Sequence, residues 1–281
     1  MPEGDTIFRA ARTLNKALAG QTITRFETQL PHLQRVHDTT PVTGRTIESV
    51  TASGKWMTIR FSGNLILLTH MLMSGSWHIY RTGEKWQRPR YDMRIVIGTE
   101  KFDAVAFKVP VAEFHTSESL ASRQGYATLG PDLLAEDFDE RQAAANLRAE
   151  PDVEVAEALL HQNIVSGLGN VYKSEVCFAC RVNPFCKVSA LTDEEIRCLV
   201  STARKFMKAN ATDTSGDGIT TYTGFRRTTH RADPRQRLWV YGRAGQPCRR
   251  CGTPIRSRKQ GRDARVTFWC PECQREKFTE F

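Results

Sequence analysis

Cys248-Arg249-Arg250-Cys251 and, after eighteen further residues, Cys270-Pro271-Glu272-Cys273 decide how the end of this chain folds. Each C-x2-C pair forms a knuckle that turns two thiolates toward one ion, and the spacing lies within the zinc-ribbon range. Four thiolates fill every position of a tetrahedral ion, which predicts one closed, structural Zn²⁺ held by Cys248, Cys251, Cys270 and Cys273. Between the pairs, Ile255 and Val266-Thr267-Phe268-Trp269 predict the arms of a β-hairpin. Arg256, Arg258, Lys259, Arg262 and Arg265 then project from it as phosphate ligands. So small and polar a segment buries little core, so its shape is expected to come from the metal bonds.

The charge around this ribbon points the same way. The chain carries a net +9, yet from Phe225 to Phe281 there are 15 Lys/Arg against 5 Asp/Glu. The remainder holds 25 against 26, so the whole positive surplus sits in the last fifth. Such segregation fits nucleic acid better than an anionic membrane. No apolar run approaches the ~18–20 residues that cross a bilayer, and the N-terminus lacks a signal-peptide layout, so a cytosolic protein is expected. In a reducing compartment the other four cysteines, Cys177, Cys180, Cys186 and Cys198, read as helix packing rather than a second metal site or disulfides.

Upstream of the ribbon the chain reads as helical. Phe138–Arg148, Val153–Gln162 and Val171–Cys180 carry helical spacing, and Thr192-Asp193-Glu194-Glu195 is a capping box opening a helix to about Lys208. Ile164-Val165-Ser166-Gly167-Leu168-Gly169-Asn170 breaks the pattern between two helices. The following helix N-terminus presents unpaired N–H groups to a phosphate, and Asn170 adds a side-chain donor. From Ala209 to Arg237 a long Thr-, Gly- and Arg-rich stretch predicts a mobile, functional loop.

Nearer the start, Gln21 to about Val111 is a series of short β-branched and aromatic runs parted by turns such as Ser53-Gly54 and Ser62-Gly63-Asn64. That spacing predicts an antiparallel sandwich or barrel. Thr6–Ala19 reads as a helix with Asp5 as N-cap, an apolar stripe of Ile7, Phe8, Ala11, Leu14 and Leu18, and Gly20 as its stop. It would hold the chain's start rigidly. Removal of Met1 would leave Pro2 with a free secondary amine. An α-amino group titrates near ~7.7–8.0, so much of it is nucleophilic at neutral pH, unlike lysine near ~10.4. Attack on a sugar C1′ would give an iminium, with Glu3 as the paired acid. Lys55, on the turn after Ser53-Gly54, is placed to bind a phosphate or to depress the Pro2 amine.

Four ordered motifs join these pieces: Met1-Pro2-Glu3-Gly4-Asp5, Ser53-Gly54-Lys55, Leu159 through Tyr172 with its Ser166-Gly167-Leu168-Gly169-Asn170 core, and Val240-Tyr241-Gly242-Arg243 leading to the cysteines. Over essentially its whole length the chain resembles the formamidopyrimidine-DNA glycosylase / endonuclease VIII family of base-excision repair. The resemblance implies an α+β multidomain protein: a catalytic N-terminal helix and β-sandwich over 1–130, a helix–two-turn–helix domain over 131–237, and a zinc finger over 238–281. It also implies a bifunctional glycosylase/lyase acting on damaged double-stranded DNA. Pro2 would displace the base and form a Schiff base, and Glu3 would protonate the opening sugar. Lys55 would assist β-elimination, Arg265 δ-elimination, and Asn170 would hold a phosphate. Leu72 and Met73, in His70-Met71-Leu72-Met73-Ser74-Gly75, would fill the gap left by the extruded nucleotide.

Departures from the family pattern guide the substrate. Thr6 stands where many members have Glu. The Arg-and-Phe insertion pair of the purine branch is not evident around Phe102 to Pro110, and no purine-capping sequence is recognisable in 209–237. With the Gly4-Asp5 start, these favour the endonuclease VIII branch and oxidised pyrimidines. Oxidised purines are the alternative, and a non-enzymatic zinc-ribbon DNA-binding module is the alternative class. A monomer in the cytoplasm, associated with the nucleoid, is expected. No carboxylate cluster suggests a catalytic Mg²⁺.

Overall fold

The structure is a computed structural model that describes residues 2–211, 226–229, 233 and 236–276. Most of the 209–237 stretch therefore lies outside the described residues. The described chain divides into two compact units, one ending at Ala127 and the other beginning at Thr128.

In the first unit, helix α1 (Gly4–Leu18) buries Ile7, Ala10, Ala11, Leu14 and Leu18. It starts earlier than the sequence pattern suggests. Glu3 is the N-cap, without a side-chain capping bond, and Asp5 lies inside the first turn, fully buried and 3.8 Å from Arg9 Nη1 one turn on. A carboxylate there suits the positive end of the helix, which is why the predicted cap is instead a first-turn residue.

The strands are β1 (Arg25–Thr28), β2 (Ile47–Ser53), β3 (Trp56–Phe61), β4 (Leu65–His70), β5 (Ser76–Arg81), β6 (Met93–Gly98), β7 (Phe102–Phe107) and β8 (Val111–His115). They form two antiparallel four-stranded sheets, ordered β1-β6-β7-β5 and β2-β3-β4-β8, so the sandwich is correct. Leu65 and Leu67 of β4 join the core shared with α1, whereas Ile66 and Leu68 pack outward under Leu120, Trp56 and Tyr126. Covered on both faces, this strand loses the polar alternation of a half-buried one. Helices α2 (Pro31–Thr39) and α3 (Ser117–Ala121) and strand β8 carry no strong sequence signal.

The second unit holds α4 (Glu140–Arg148), α5 (Val155–Ala158), α6 (Asn170–Ala179) and α7 (Asp193–Ala211). The capping box opening α7 is present, with Thr192 N donating to Glu195 Oε2 at 2.9 Å and Glu195 N to Thr192 Oγ1 at 3.3 Å. The helix predicted over 153–162 is only α5. Beyond it the chain turns, with Leu160 N donating to Glu157 O and His161 N to Ala158 O. The Gln162 side chain then takes over the backbone groups of this turn, accepting from Gly167 N and donating to Leu160 O and Leu168 O.

Strands β9 (Arg256–Gln260) and β10 (Arg265–Trp269) make the predicted hairpin, paired from Arg265↔Gln260 to Trp269↔Arg256. The packing expectation for the other cysteines needs one correction: Cys180, after the last turn of α6, is disulfide-bonded to Cys198 of α7, with Cα atoms 5.9 Å apart. Helix packing brings together two cysteines whose pairing the assumed reducing compartment argued against. Cys177 is buried, and burial pushes its thiol up to about 12. Among the described residues no helix is long and apolar enough to cross a membrane.

Candidate active site and nucleic-acid-binding elements

Helix α1 and strand β2 pack together in opposite directions. Asn15 Oδ1 accepts from Val50 N at 2.8 Å, and Gly20 N donates to Ile47 O at 2.8 Å. From Asn15 back to Gly4 the helix rises about 16 Å; from Val50 to Gly54 the strand advances about 13 Å. The two ends therefore run to the same side of the sandwich. One carries Pro2 and Glu3, the other the two-residue turn Gly54-Lys55 between Ser53 and Trp56, which are paired in register. Gly54 has φ +59°, a conformation that glycine adopts freely. Pro2 and Lys55 are half-buried, while Glu3 is fully buried at the helix N-cap, its carbonyl accepting from Thr6 N and Ile7 N. Pro2, a buried carboxyl and a lysine turn thus share one end of the unit.

After β4 the chain makes a tight turn that shows two apolar side chains to solvent. Leu72 is 49% exposed and Met73 61%, although Met71 beside them is fully buried. Gly75 N closes the turn on Met71 O at 2.8 Å. A Cβ at Gly75 would stand 2.6 Å from that oxygen, so only glycine fits. Exposed apolar side chains held this firmly suit insertion into a stack of bases.

In the second unit, Asn170 opens α6 but is largely buried, and its Nδ2 donates to Val266 O of β10 at 3.1 Å. The predicted phosphate donor therefore also ties the helix to the hairpin. Phe268 N donates to Ser174 Oγ, and Gln260 Nε2 donates to Glu154 Oε2 at 2.7 Å and Pro184 O at 2.9 Å. Of the predicted cations, Arg256, Arg258, Lys259 and Arg262 are exposed. The Arg258 guanidinium lies 3.7 Å from the Phe185 ring centroid, and Arg265, half-buried near the tip, is 3.9 Å from Asp263.

The least foreseeable residue is Glu175. This fully buried α6 carboxylate accepts from three consecutive backbone groups, Trp239 N at 2.8 Å, Val240 N at 2.9 Å and Tyr241 N at 2.8 Å, and from the Thr228 hydroxyl. Burial pushes its carboxyl up, and the four donors work against that shift. Its surroundings in the sequence, Lys173-Ser174-Glu175-Val176, carry no sign of this burial.

The Sγ atoms of Cys248, Cys251, Cys270 and Cys273 all lie within 4.8 Å of one another, with Cys248–Cys273 at 3.9 Å and Cys251–Cys270 at 3.5 Å. Four thiolates at about 2.3 Å from a tetrahedral zinc would stand about 3.8 Å apart. The donor set and its spacing fit zinc. Donors from Thr253 bring the Cys251 thiol down to about 6, whereas burial raises those of Cys270 and Cys273.

Comparison with known proteins covers nearly the whole chain. The family model described as the formamidopyrimidine-DNA glycosylase N-terminal domain matches residues 1–110, that of the formamidopyrimidine-DNA glycosylase H2TH domain matches 129–223, and that of the zinc finger found in FPG and IleRS matches 245–275. The probable endonuclease 8 2 of Streptomyces coelicolor is 40% identical over 278 residues, covering 98% of this chain and 94% of that one. The DNA-(apurinic or apyrimidinic site) lyase Nei2 of Mycolicibacterium smegmatis is 38% identical over 274 residues, covering 98% and 99%. The Lactococcus lactis Fpg, solved in complex with abasic-site DNA, shares the fold at a TM-score of 0.82 and 23% identity, over 98% of this chain and 100% of that one.

Proposed function

The chain belongs to the formamidopyrimidine-DNA glycosylase / endonuclease VIII family, DNA glycosylases and AP lyases of base-excision repair, and on that premise we propose that Pro2 is its nucleophile and oxidised pyrimidines its favoured lesions. The observation that carries this reading is the placement of Pro2 beside the buried Glu3, at the head of a helix fixed in the sandwich core. With Met1 removed, the Pro2 nitrogen attacks C1′ of the damaged nucleotide and the base leaves. Glu3 supplies the proton that opens the sugar, giving an iminium. The iminium withdraws electrons from C2′, whose proton is lost as the 3′ phosphate departs. Lys55, on the same side of the sandwich, neutralises charge in that step. A second elimination then expels the 5′ phosphate, with Arg265 as the ligand of that group.

Leu72 and Met73 occupy the space of the extruded nucleotide. Asn170, Arg256 and Arg258 hold flanking phosphates of damaged double-stranded DNA. A single zinc ion on the four cysteines is structural, since the thiolates leave no open position. In functional terms the chain divides into a catalytic part over 1–130, a helical DNA-binding part over 131–237 and a zinc finger over 238–281. All the groups of this reaction belong to one chain, so a cytoplasmic monomer working at the nucleoid suffices.

Borohydride added during turnover should trap a covalent protein–DNA adduct that peptide mapping places at Pro2. Pro2→Gly with undiminished cleavage would sink the assignment. Glu3→Gln should lose base excision and keep DNA binding. Side-by-side cleavage of thymine glycol, dihydrouracil and 8-oxoguanine duplexes tests the specificity. Faster cleavage of 8-oxoguanine would replace the pyrimidine preference with the purine one.

A further inference from the structure

The turn that exposes Leu72 and Met73 is held by a side chain. Leu72 has φ +45°, a left-handed conformation that residues other than glycine seldom adopt. Its N–H donates to Nδ1 of His70, the last residue of β4, at 3.0 Å. Accepting there requires a neutral imidazole with its proton on Nε2.

The surroundings keep it neutral. Burial first, then the charges of Lys55 and Arg123, lower the His70 pKa to about 4. The ring is also fixed sideways. His70 pairs in register with Trp56 of β3, and their rings meet edge to face with centroids 4.7 Å apart. Trp56 directly follows Lys55, donates through Nε1 to Gly125 O at 3.2 Å, and lies under the Arg123 guanidinium at 4.4 Å. Arg123 is clamped in turn by Glu113, with contacts of 2.9 and 2.7 Å.

We propose that His70 is a positioning residue: its Nδ1 locks the Leu72–Met73 turn in the projecting form, and its ring, through Trp56, sets that turn against the Lys55 turn. The wedge thereby stands at a fixed offset from the lysine before DNA arrives. This rests on the reading of Leu72 and Met73 as gap-fillers, and the tests separate the two.

Hydrogen exchange on the whole, DNA-free protein tests the lock alone. In His70→Leu the 71–75 segment should lose protection. In His70→Asn, whose Oδ1 lies about where Nδ1 does, protection should persist. Excision from a lesion duplex tests the consequence. His70→Leu should lower kcat by about three- to tenfold, the worth of one neutral hydrogen bond, with little change in KM. His70→Asn should restore most of it, and cleavage of a single-stranded abasic oligonucleotide should be unaffected by either change. Unchanged exchange in His70→Leu would overturn the lock. A His70→Asn variant as impaired as His70→Leu would also overturn it, because the ring rather than its acceptor would then matter. If His70→Leu fails to fold, His70→Asn alone decides. A Leu72→Ala/Met73→Ala double variant with normal duplex excision would instead remove the gap-filling reading and leave the exchange result standing.

Discussion

Replacing Glu175 by Gln changes one atom of a buried carboxylate, and its effect can be worked out from the four donors around it. Oε1 accepts from Val240 N and Tyr241 N, and Oε2 from Trp239 N and the Thr228 hydroxyl. The amide oxygen must take the Oε1 place, since both partners there are fixed N–H groups. Its NH2 then faces the Trp239 N–H, while Thr228 can rotate its hydroxyl to accept. One backbone donor is stranded in the interior, which costs about 1–3 kcal/mol. The two bonds that survive lose their charge assistance, about half of their strength, and the avoided burial of a charge offsets part of the loss. The expected net loss is about 2–4 kcal/mol. Glu175→Leu, which strands all three backbone N–H groups, should cost more. Urea unfolding followed through tryptophan fluorescence reads it, because Trp239 stacks on Phe178 at 5.5 Å between centroids. The two units need not melt together, so the transition to compare is that of the second unit. A Gln variant within about 0.5 kcal/mol of the parent, or one as damaged as Leu, would refute this account of the carboxylate.

Other outcomes follow from the same contacts. Cys270→Ser should release zinc and loosen the knuckles, but the bonds of Gln260, Asn170 and Ser174 should keep much of 256–269 protected from hydrogen exchange; complete loss of protection there would return the hairpin to full metal dependence. Arg265→Ala should lower the salt slope of DNA binding by roughly 1 and reduce strand cleavage further than one phosphate contact explains; normal cleavage at saturating enzyme would make it an ordinary phosphate ligand. Burial, chiefly, lowers the pKa values of His70 and His78 from 6.5 to about 4 in the folded protein. The unfolded chain takes up those protons first, so stability should hold above pH ~6.5 and fall as pH drops toward ~4; a denaturation midpoint that rises from pH 7 to pH 5 would contradict this. The Cys180–Cys198 bridge, 18 residues apart, should contribute about 3 kcal/mol that dithiothreitol removes; alkylation of both thiols without reductant would show the bridge open.

The parts of the molecule governed by local chemistry were readable from the sequence. Cysteine spacing placed the four-thiol cluster, turn residues separated the strands, and Thr192 with Glu195 marked the start of α7. Long-range pairings were not. Nothing near Glu175 announces that its partners lie more than fifty residues on, and the Cys180–Cys198 bridge depends on how α6 meets α7. The helix predicted through Gln162 failed because that side chain's competition for backbone groups is invisible to periodicity. His70 reads as an ordinary strand residue until Leu72 is seen to be left-handed. For the proposed active site, the sequence supplied the residue types, while the opposed course of α1 and β2 explains why distant positions share one end.

Helix α1 is at once the mount of the proposed nucleophile and a wall of the sandwich core, with Leu14 and Leu18 completely enclosed. An enzyme built so has little room to lose its chemistry while keeping its shape. On warming, its catalytic half-life should collapse over the same few degrees as the melting of the first unit, without a preceding range of folded but idle protein. Screening for survival of activity after a heat pulse would then select, in effect, for core packing, and improved variants should cluster along the buried stripe of the helix that follows the proposed reacting residues.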